Sequence, residues 1–256
     1  MSGYREVFKR KEVKYLVNEE QYAGLREFFE TMARPDEYGL SRINNIYYDT
    51  PDHLLVRRSL EKPLYKEKLR LRTYGETDSG TNAFIEIKKK YDGVVYKRRI
   101  PGRYEDLYGY MMNTGPDLPD TQIADEIRAF MNLYKNLVPA MSICYDRIAL
   151  AGTEDKDFRV TFDSNIEWNA KCSDLRNVMP GEKLLKPGQY LMEIKVMGAV
   201  EPALARELSR LKVFPASFSK YGNGYRMMMD ELKAAAPSMA RVIMIGSRMK
   251  GAANYA

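Results

Sequence analysis

Histidine and cysteine are nearly absent from this 256-residue chain, which has one His, His53, and two Cys, Cys144 and Cys172. A single imidazole, just after the turn-like run Asp49-Thr50-Pro51-Asp52, excludes a multi-histidine metal site and argues against His acid–base chemistry. Two cysteines with no CxxC pair leave no basis for a disulfide framework or a thiolate metal site, so both are expected to be reduced. Any metal would have to be held by oxygen. Long apolar runs are missing too: nothing approaches the ~18 consecutive apolar residues of a membrane span, and the stretch Met1 to Glu12 is charged where a signal sequence would be apolar. A cytoplasmic chain without a membrane segment is the expectation. There is no internal repeat and no low-complexity run.

What the chain does have is charge. It carries 41 Lys and Arg against 35 Asp and Glu, a net +6 that points only loosely towards anionic partners. Where the charges sit says more. Strand character runs through Glu6–Val17, Arg42–Tyr48, Tyr65–Tyr74, Ala83–Lys90, Val94–Pro101, Met141–Leu150, Phe158–Ile166 and Tyr190–Met197. Helical patterns occupy Glu19–Met32, Glu105–Met112, Asp120–Tyr134, Pro202–Leu211 and Gly224–Ala235, with irregular linkers at Gly115–Pro119 and Lys171–Pro187. Gly222-Asn223-Gly224 lacks the third glycine and preceding strand of a dinucleotide fingerprint and reads as a loop. Strands clustered early with helices inserted or appended indicate an α+β chain. One domain over residues 1–236 is expected, with an Ala-, Met- and Gly-rich tail over 237–256 that frays.

The strands carry charges two residues apart: Arg10, Glu12 and Lys14; Arg70 and Arg72; Glu86 and Lys88; Lys97 and Arg99; Arg159 and Asp163; Glu193 and Lys195. The strand period is two, so each set faces one side while Val13, Tyr15, Leu71, Ile85, Ile87 and Ile194 face the other. On a single strand this would be an ordinary solvated face. Repeated on six strands, it predicts a closed antiparallel β-barrel of about eight strands, apolar side outward under helices and charged side lining a tunnel. So many cations could be desolvated only around water or a polyanion.

The ordered segments resemble a known family. Arg10-Lys11-Glu12-Val13-Lys14 is similar to the first strand of the triphosphate tunnel metalloenzymes (CYTH-like superfamily), usually Glu-x-Glu-x-Lys, with Arg10 in place of the first acid. That replacement, with Ile46-Tyr47-Tyr48-Asp49, Leu69-Arg70-Leu71-Arg72-Thr73-Tyr74-Gly75, Phe84-Ile85-Glu86-Ile87-Lys88, Tyr145-Asp146-Arg147, Arg159-Val160-Thr161-Phe162-Asp163, Met192-Glu193-Ile194-Lys195 and Phe218-Ser219-Lys220-Tyr221, resembles the VTC domain. This is the catalytic domain of the vacuolar transporter chaperone polyphosphate polymerase, and the likeness spans about Val7 to Met228.

The resemblance implies Lys14, Arg70, Arg72, Lys88, Arg147, Arg159 and Lys220 on the phosphates, Ser219 adding a hydroxyl, and Glu193 holding Mn²⁺ or Mg²⁺. Arg forks, compact Lys charges and a hard carboxylate suit that chemistry. Arg10, Lys97 and Lys195 are further substrate-contact candidates. Arg57 and Arg58, in the loop before the third strand, are either another contact or a solvated pair. Glu12, Glu86 and Asp163 are either extra metal ligands or internal counter-ions orienting the basic side chains. The leading expectation is a metal-dependent phosphotransferase that moves the γ-phosphate of ATP or another NTP onto a polyphosphate chain. The alternatives are a tripolyphosphate or NTP hydrolase, and a non-enzymatic polyphosphate-binding module. Nucleic acid is not expected, because no run of exposed stacking aromatics accompanies the basic residues.

Overall fold

The computed structural model describes the backbone of residues 10–92 and 94–251, with side chains over 12–92 and 94–235. One antiparallel sheet dominates it. Its strands are β1 (Arg10–Val17), β2 (Ala33–Asp49), β3 (Tyr65–Tyr74), β4 (Asn82–Tyr91), β5 (Val94–Arg103), β6 (Val138–Gly152), β7 (Arg159–Asn169), β8 (Glu182–Lys183) and β9 (Tyr190–Met197). The helices are α1 (Glu19–Phe29), α2 (Leu54–Leu60), α3 (Tyr104–Met111), α4 (Gln122–Leu133), α5 (Pro202–Arg210) and α6 (Lys220–Gly251). The strand order is β1-β9-β7-β6-β2-β3-β4-β5, with β8 paired to β7.

The expected closed barrel is corrected here. Among the described residues β1 and β5 share no ladder, so the sheet is open along that seam. The sheet nevertheless curls far enough for Glu12 on β1 to reach Lys88 on β4, at 3.9 Å. The outer edge of β1 is covered by another part of the chain: Ala216 donates its N–H to the Lys14 carbonyl at 2.7 Å, and Tyr15 bridges Pro215. The segment before α6 thus satisfies polar groups that a fifth-strand partner would have taken.

The outer face is apolar and lies under the helices, as the two-residue period requires. Leu69, Leu71, Ile85, Ile87 and Ile100 pack with Tyr104 of α3 and Ile127 of α4. Leu25 and Phe29 of α1 and Leu204 of α5 cover Val160, Met192 and Ile194. A third apolar cluster lies on the concave face, where Val56 of α2 and Tyr221 of α6 pack with Tyr47, Met141, Ile143 and Trp168, and the Tyr221 ring stacks on Tyr47 at 4.7 Å.

Local chemistry sets the helix starts. Asn18 and Gln21 form a reciprocal capping box at α1. At α2 the buried Asp49 carboxylate accepts from the N–H groups of Leu55 and Val56 at 2.8 and 3.0 Å and from the Tyr221 hydroxyl at 2.8 Å. Asp49 therefore ties β2, α2 and α6 together and is a structural residue.

Several expectations are displaced. Arg57 and Arg58 lie on α2 rather than in a loop, and β2 begins nine residues before Arg42, at Ala33. Gly222-Asn223-Gly224 belongs to α6 and not to a loop. A Cβ on Gly224 would come within 2.6 Å of Met141 Sδ and 3.1 Å of Trp168 Cβ, so the glycine lets α6 lie close against β6 and β7. The tail expected after residue 236 begins inside α6, and its side chains lie outside the described residues.

Candidate functional site

The charged side chains collect on the concave face of the curled sheet. Along β3 the inward residues are Lys66, Lys68, Arg70 and Arg72; opposite them on β4 stand Lys88 and Glu86, and on β5 Lys97 and Arg99. The other wall brings Glu12 and Lys14 from β1, Glu193 and Lys195 from β9, Arg159, Thr161 and Asp163 from β7, and Arg147 from β6. Lys220 enters from the first turn of α6, its amine 4.5 Å from the centre of the Tyr145 ring.

These cations are organised around two carboxylate centres. In the first, Glu86, which is 1 % exposed, meets Arg70 at 2.6 Å, Arg72 at 3.7 Å and Lys97 at 2.7 Å. Burial pushes its carboxyl up, but Arg70, Arg72 and Lys97 outweigh that and hold it at about 2. Arg70 also donates to the Tyr47 hydroxyl at 3.0 Å, and Arg72 to Asn45 Oδ1 at 2.9 Å and the Tyr145 hydroxyl at 3.3 Å.

In the second centre, Asp163 takes a two-pronged contact from Arg147 at 2.6 and 2.8 Å and the Lys220 amine at 2.5 Å. Glu193 meets Lys14 at 3.3 Å and Lys220 at 3.6 Å, and Lys14 also reaches Glu12 at 3.7 Å. Burial opposes ionisation of both acids, yet Lys220, Lys14 and Arg147 hold Glu193 well below the usual carboxylate range, and Arg147 and Lys220 lower Asp163. Thr161 stands directly across from Glu193 on the β7–β9 ladder, and its buried hydroxyl has no hydrogen-bond partner.

The segment before α6 is fastened across the seam. Lys14 donates to the Phe218 carbonyl at 3.1 Å, and Lys68 donates to Ser219 Oγ at 3.0 Å, which also caps the Gly222 N–H. Burial, with Lys14, Lys88 and Lys66 nearby, brings the Lys68 amine down to about 8. Burial would raise the Tyr47 hydroxyl, but Arg70, Lys68 and Arg72 outweigh it and bring it down to about 8.

The fold brings together Lys14, Arg70, Arg72, Lys88, Lys97, Arg147, Arg159, Lys195, Ser219 and Lys220 on or at the rim of this face. It does not bring Arg57 and Arg58 there: Arg57 is ion-paired with Asp52, and Arg58 lines a small cleft with Tyr134 and Glu67 outside the sheet. The Arg10 side chain lies outside the described residues. Of the acids weighed as ligands, Glu12 and Glu193 share Lys14, whereas Glu86 belongs to the other centre; among the described residues no group of three His, Cys, Asp or Glu is placed to hold a metal. Lys66, Lys68, Asn45, Tyr47, Tyr145 and Thr161 escaped sequence reasoning. Lys66 and Lys68 merely extend the alternation of Arg70 and Arg72 towards the start of β3, a signal that was present in the sequence.

The VTC domain family model matches residues 9–229. No curated protein matches. Among solved structures, a putative adenylate cyclase from Bacillus halodurans is similar at 13% identity and a TM-score of 0.52, over 84% of this chain and 94% of that one. A putative adenylate cyclase from Vibrio parahaemolyticus is matched at 15% identity, 86% and 98% coverage and a TM-score of 0.44. A putative adenylyl cyclase from Hippeastrum, described as having a dominant triphosphatase activity, is matched at 13% identity, 84% and 94% coverage and a TM-score of 0.46. Among the described residues, no helix is long and apolar enough to cross a membrane.

Proposed function

The chain belongs to the VTC domain family, and from that premise we propose that it is a polyphosphate polymerase-type phosphotransferase, moving the γ-phosphoryl group of a nucleoside triphosphate onto a phosphate chain held on the concave face. The observation that carries this reading is the excess of Lys and Arg over carboxylate on one inward face, with every described acid there shared between cations. A polyanion fits such a face because it replaces water around the cations without asking any of them to give up its charge.

In the transfer, the bond between the γ-phosphorus and the β,γ-bridging oxygen breaks and a terminal chain oxygen forms the new P–O bond. The nucleoside diphosphate leaves carrying the electron pair of the broken bond. The attacking oxygen is already anionic, so no general base is required, which agrees with a site built without histidine. Catalysis then rests on positioning and charge neutralisation. Arg70 and Arg72, two residues apart on β3, grip successive phosphates, while Arg147, Lys220 and Lys14 neutralise charge at the second centre.

The family implies a divalent cation, and the residues present fit one. Glu193 and Glu12 offer hard carboxylate oxygens and Thr161 an unpartnered hydroxyl. Mg²⁺ and Mn²⁺ take one or two protein carboxylates and complete their shell with water and phosphate oxygens, so a three-acid cluster is not needed. When bound, such an ion supplies further charge neutralisation on the transferred group.

The test is incubation of the purified protein with ATP and Mn²⁺ or Mg²⁺, with products resolved on a gel and by phosphate release. Long chains are the expected product. Orthophosphate alone would make the protein a hydrolase, and no turnover despite tight tripolyphosphate binding would make it a binder.

A further inference from the structure

The inward side chains of β3 read Lys66, Lys68, Arg70, Arg72 and then Tyr74, so the track of cations ends in an aromatic ring. Phe84 lies opposite Arg72 on β4, and its ring meets that of Tyr74 edge-on, with centroids 6.0 Å apart at 83°. The Arg99 guanidinium sits 4.7 Å over the Phe84 ring, and that of Arg72 sits 5.9 Å from the Tyr74 ring. Tyr74 is 41 % exposed, Phe84 is half-buried and Arg99 is exposed. Phe84 stands on the charged face and belongs to none of the three buried apolar clusters among the described residues. Arg99 has no carboxylate within ion-pair distance among the described residues, so the ring face is its partner there.

Resting on the reading of this face as a phosphate site, we propose that Tyr74, Phe84 and Arg99 form a stacking platform for the base of a nucleoside triphosphate. Two strand residues rise about 6.7 Å, a spacing that sets a ribose between an α-phosphate on Arg72 and a base on the rings. Stacking and cation–π contact recognise a flat π-face without reading base edges, so the platform accepts either purine. It also gives the site a direction: with the base at Tyr74, the γ-phosphate lies towards Lys68 and Lys66, and the growing chain leaves by the lysine end of β3.

The experiment compares binding of ATP, GTP and inorganic tripolyphosphate by full-length wild type, Tyr74→Leu, Phe84→Leu and Phe84→Trp, with a melting curve for each. The expected result is about tenfold weaker ATP and GTP binding in both leucine variants, unchanged tripolyphosphate binding in all, and recovered nucleotide binding in Phe84→Trp. Equal loss of nucleotide and tripolyphosphate, or no loss of either, overturns the platform and leaves the phosphate site standing. Absence of tripolyphosphate binding in wild type overturns both. Tyr74 is exposed, so Tyr74→Leu decides the matter even where a change at Phe84 unfolds the chain.

Discussion

The two carboxylate centres of the concave face use the same ingredients in different ways. Glu86 is clamped chiefly by arginines, whose guanidinium groups cannot give up their charge and hold a fixed planar geometry, with Lys97 as a third partner. Glu193 is held by two lysines, point charges on flexible stems, and each lysine has a second acid: Glu12 for Lys14 and Asp163 for Lys220. The first arrangement is a counter-ion with a cation against each carboxylate oxygen, and the second is a set of exchangeable contacts beside an unpartnered hydroxyl. Burial and formal charge are alike in the two acids. What differs is whether their cations can turn to a ligand without stranding a charge.

The sharpest way to break this comparison is to neutralise each acid. Glu86→Gln leaves Arg70 and Arg72 with only neutral acceptors in a poorly solvated place and should destabilise the protein by ~3–5 kcal/mol in denaturant unfolding. Glu193→Gln should cost clearly less stability, because Lys14 and Lys220 retain other acids, yet lower metal-dependent turnover by roughly a hundredfold or more. If the two variants exchange these effects, the metal-side and counter-ion roles are assigned backwards.

Arg70→Ala tests whether a clamped arginine still binds. Loss of one charge-assisted contact, ~1.5–3 kcal/mol, should weaken tripolyphosphate binding by roughly ten- to a hundredfold in calorimetry. An unchanged affinity would mean that Glu86 holds Arg70 as structure only. The sequence alone suggests that removing Arg70 or Arg72 relieves repulsion and leaves stability intact or improved. The structure argues otherwise for Arg72, whose loss would remove the hydrogen-bond donor to the buried Asn45 Oδ1 and to the Tyr145 hydroxyl.

The smallest expected effect is that of pH. Burial depresses the Lys68 and Lys97 amines to about 8, with Glu86 partly opposing the shift at Lys97. Between pH 7 and 9 both lose protons in the folded state, so tripolyphosphate affinity should fall a few-fold. The unfolded chain keeps those protons to about pH 10.5, so it binds more protons across this window and the ligand-free protein should become more stable as pH rises. Opposite slopes for melting temperature and affinity check the sign. Parallel slopes would remove Lys68 and Lys97 from the phosphate site.

Much of the fold was legible because period two is strict. β3 and β9 run over the expected residues, Tyr65–Tyr74 and Tyr190–Met197, and Leu71 and Ile85 lie in the outer core while Arg72 and Glu86 line the inner face. The short elements α2 and β8 were not legible. α2 is nucleated by a carboxylate, Asp49, reaching forward to Leu55 and Val56, a contact no propensity encodes. Gly222 and Gly224 look like loop residues until their neighbours are present, Leu60 of α2 for the first and Met141 and Trp168 of the sheet for the second.

The sequence by itself determined which side chains share a face, because alternation along a strand is a local property of the backbone. It could not determine whether the sheet closes, since closure depends on strand number, tilt and what covers the first edge; the chain covers β1 with the segment ahead of α6, and among the described residues no ladder joins β1 to β5. Nor could it say which acids serve as counter-ions and which remain open to a ligand. Glu86 and Glu193 have the same local signature, Glu-Ile-Lys, and only strand pairing and the placement of α6 gave one of them the arginines of β3 and the other Lys14 and Lys220, which are shared with neighbouring acids.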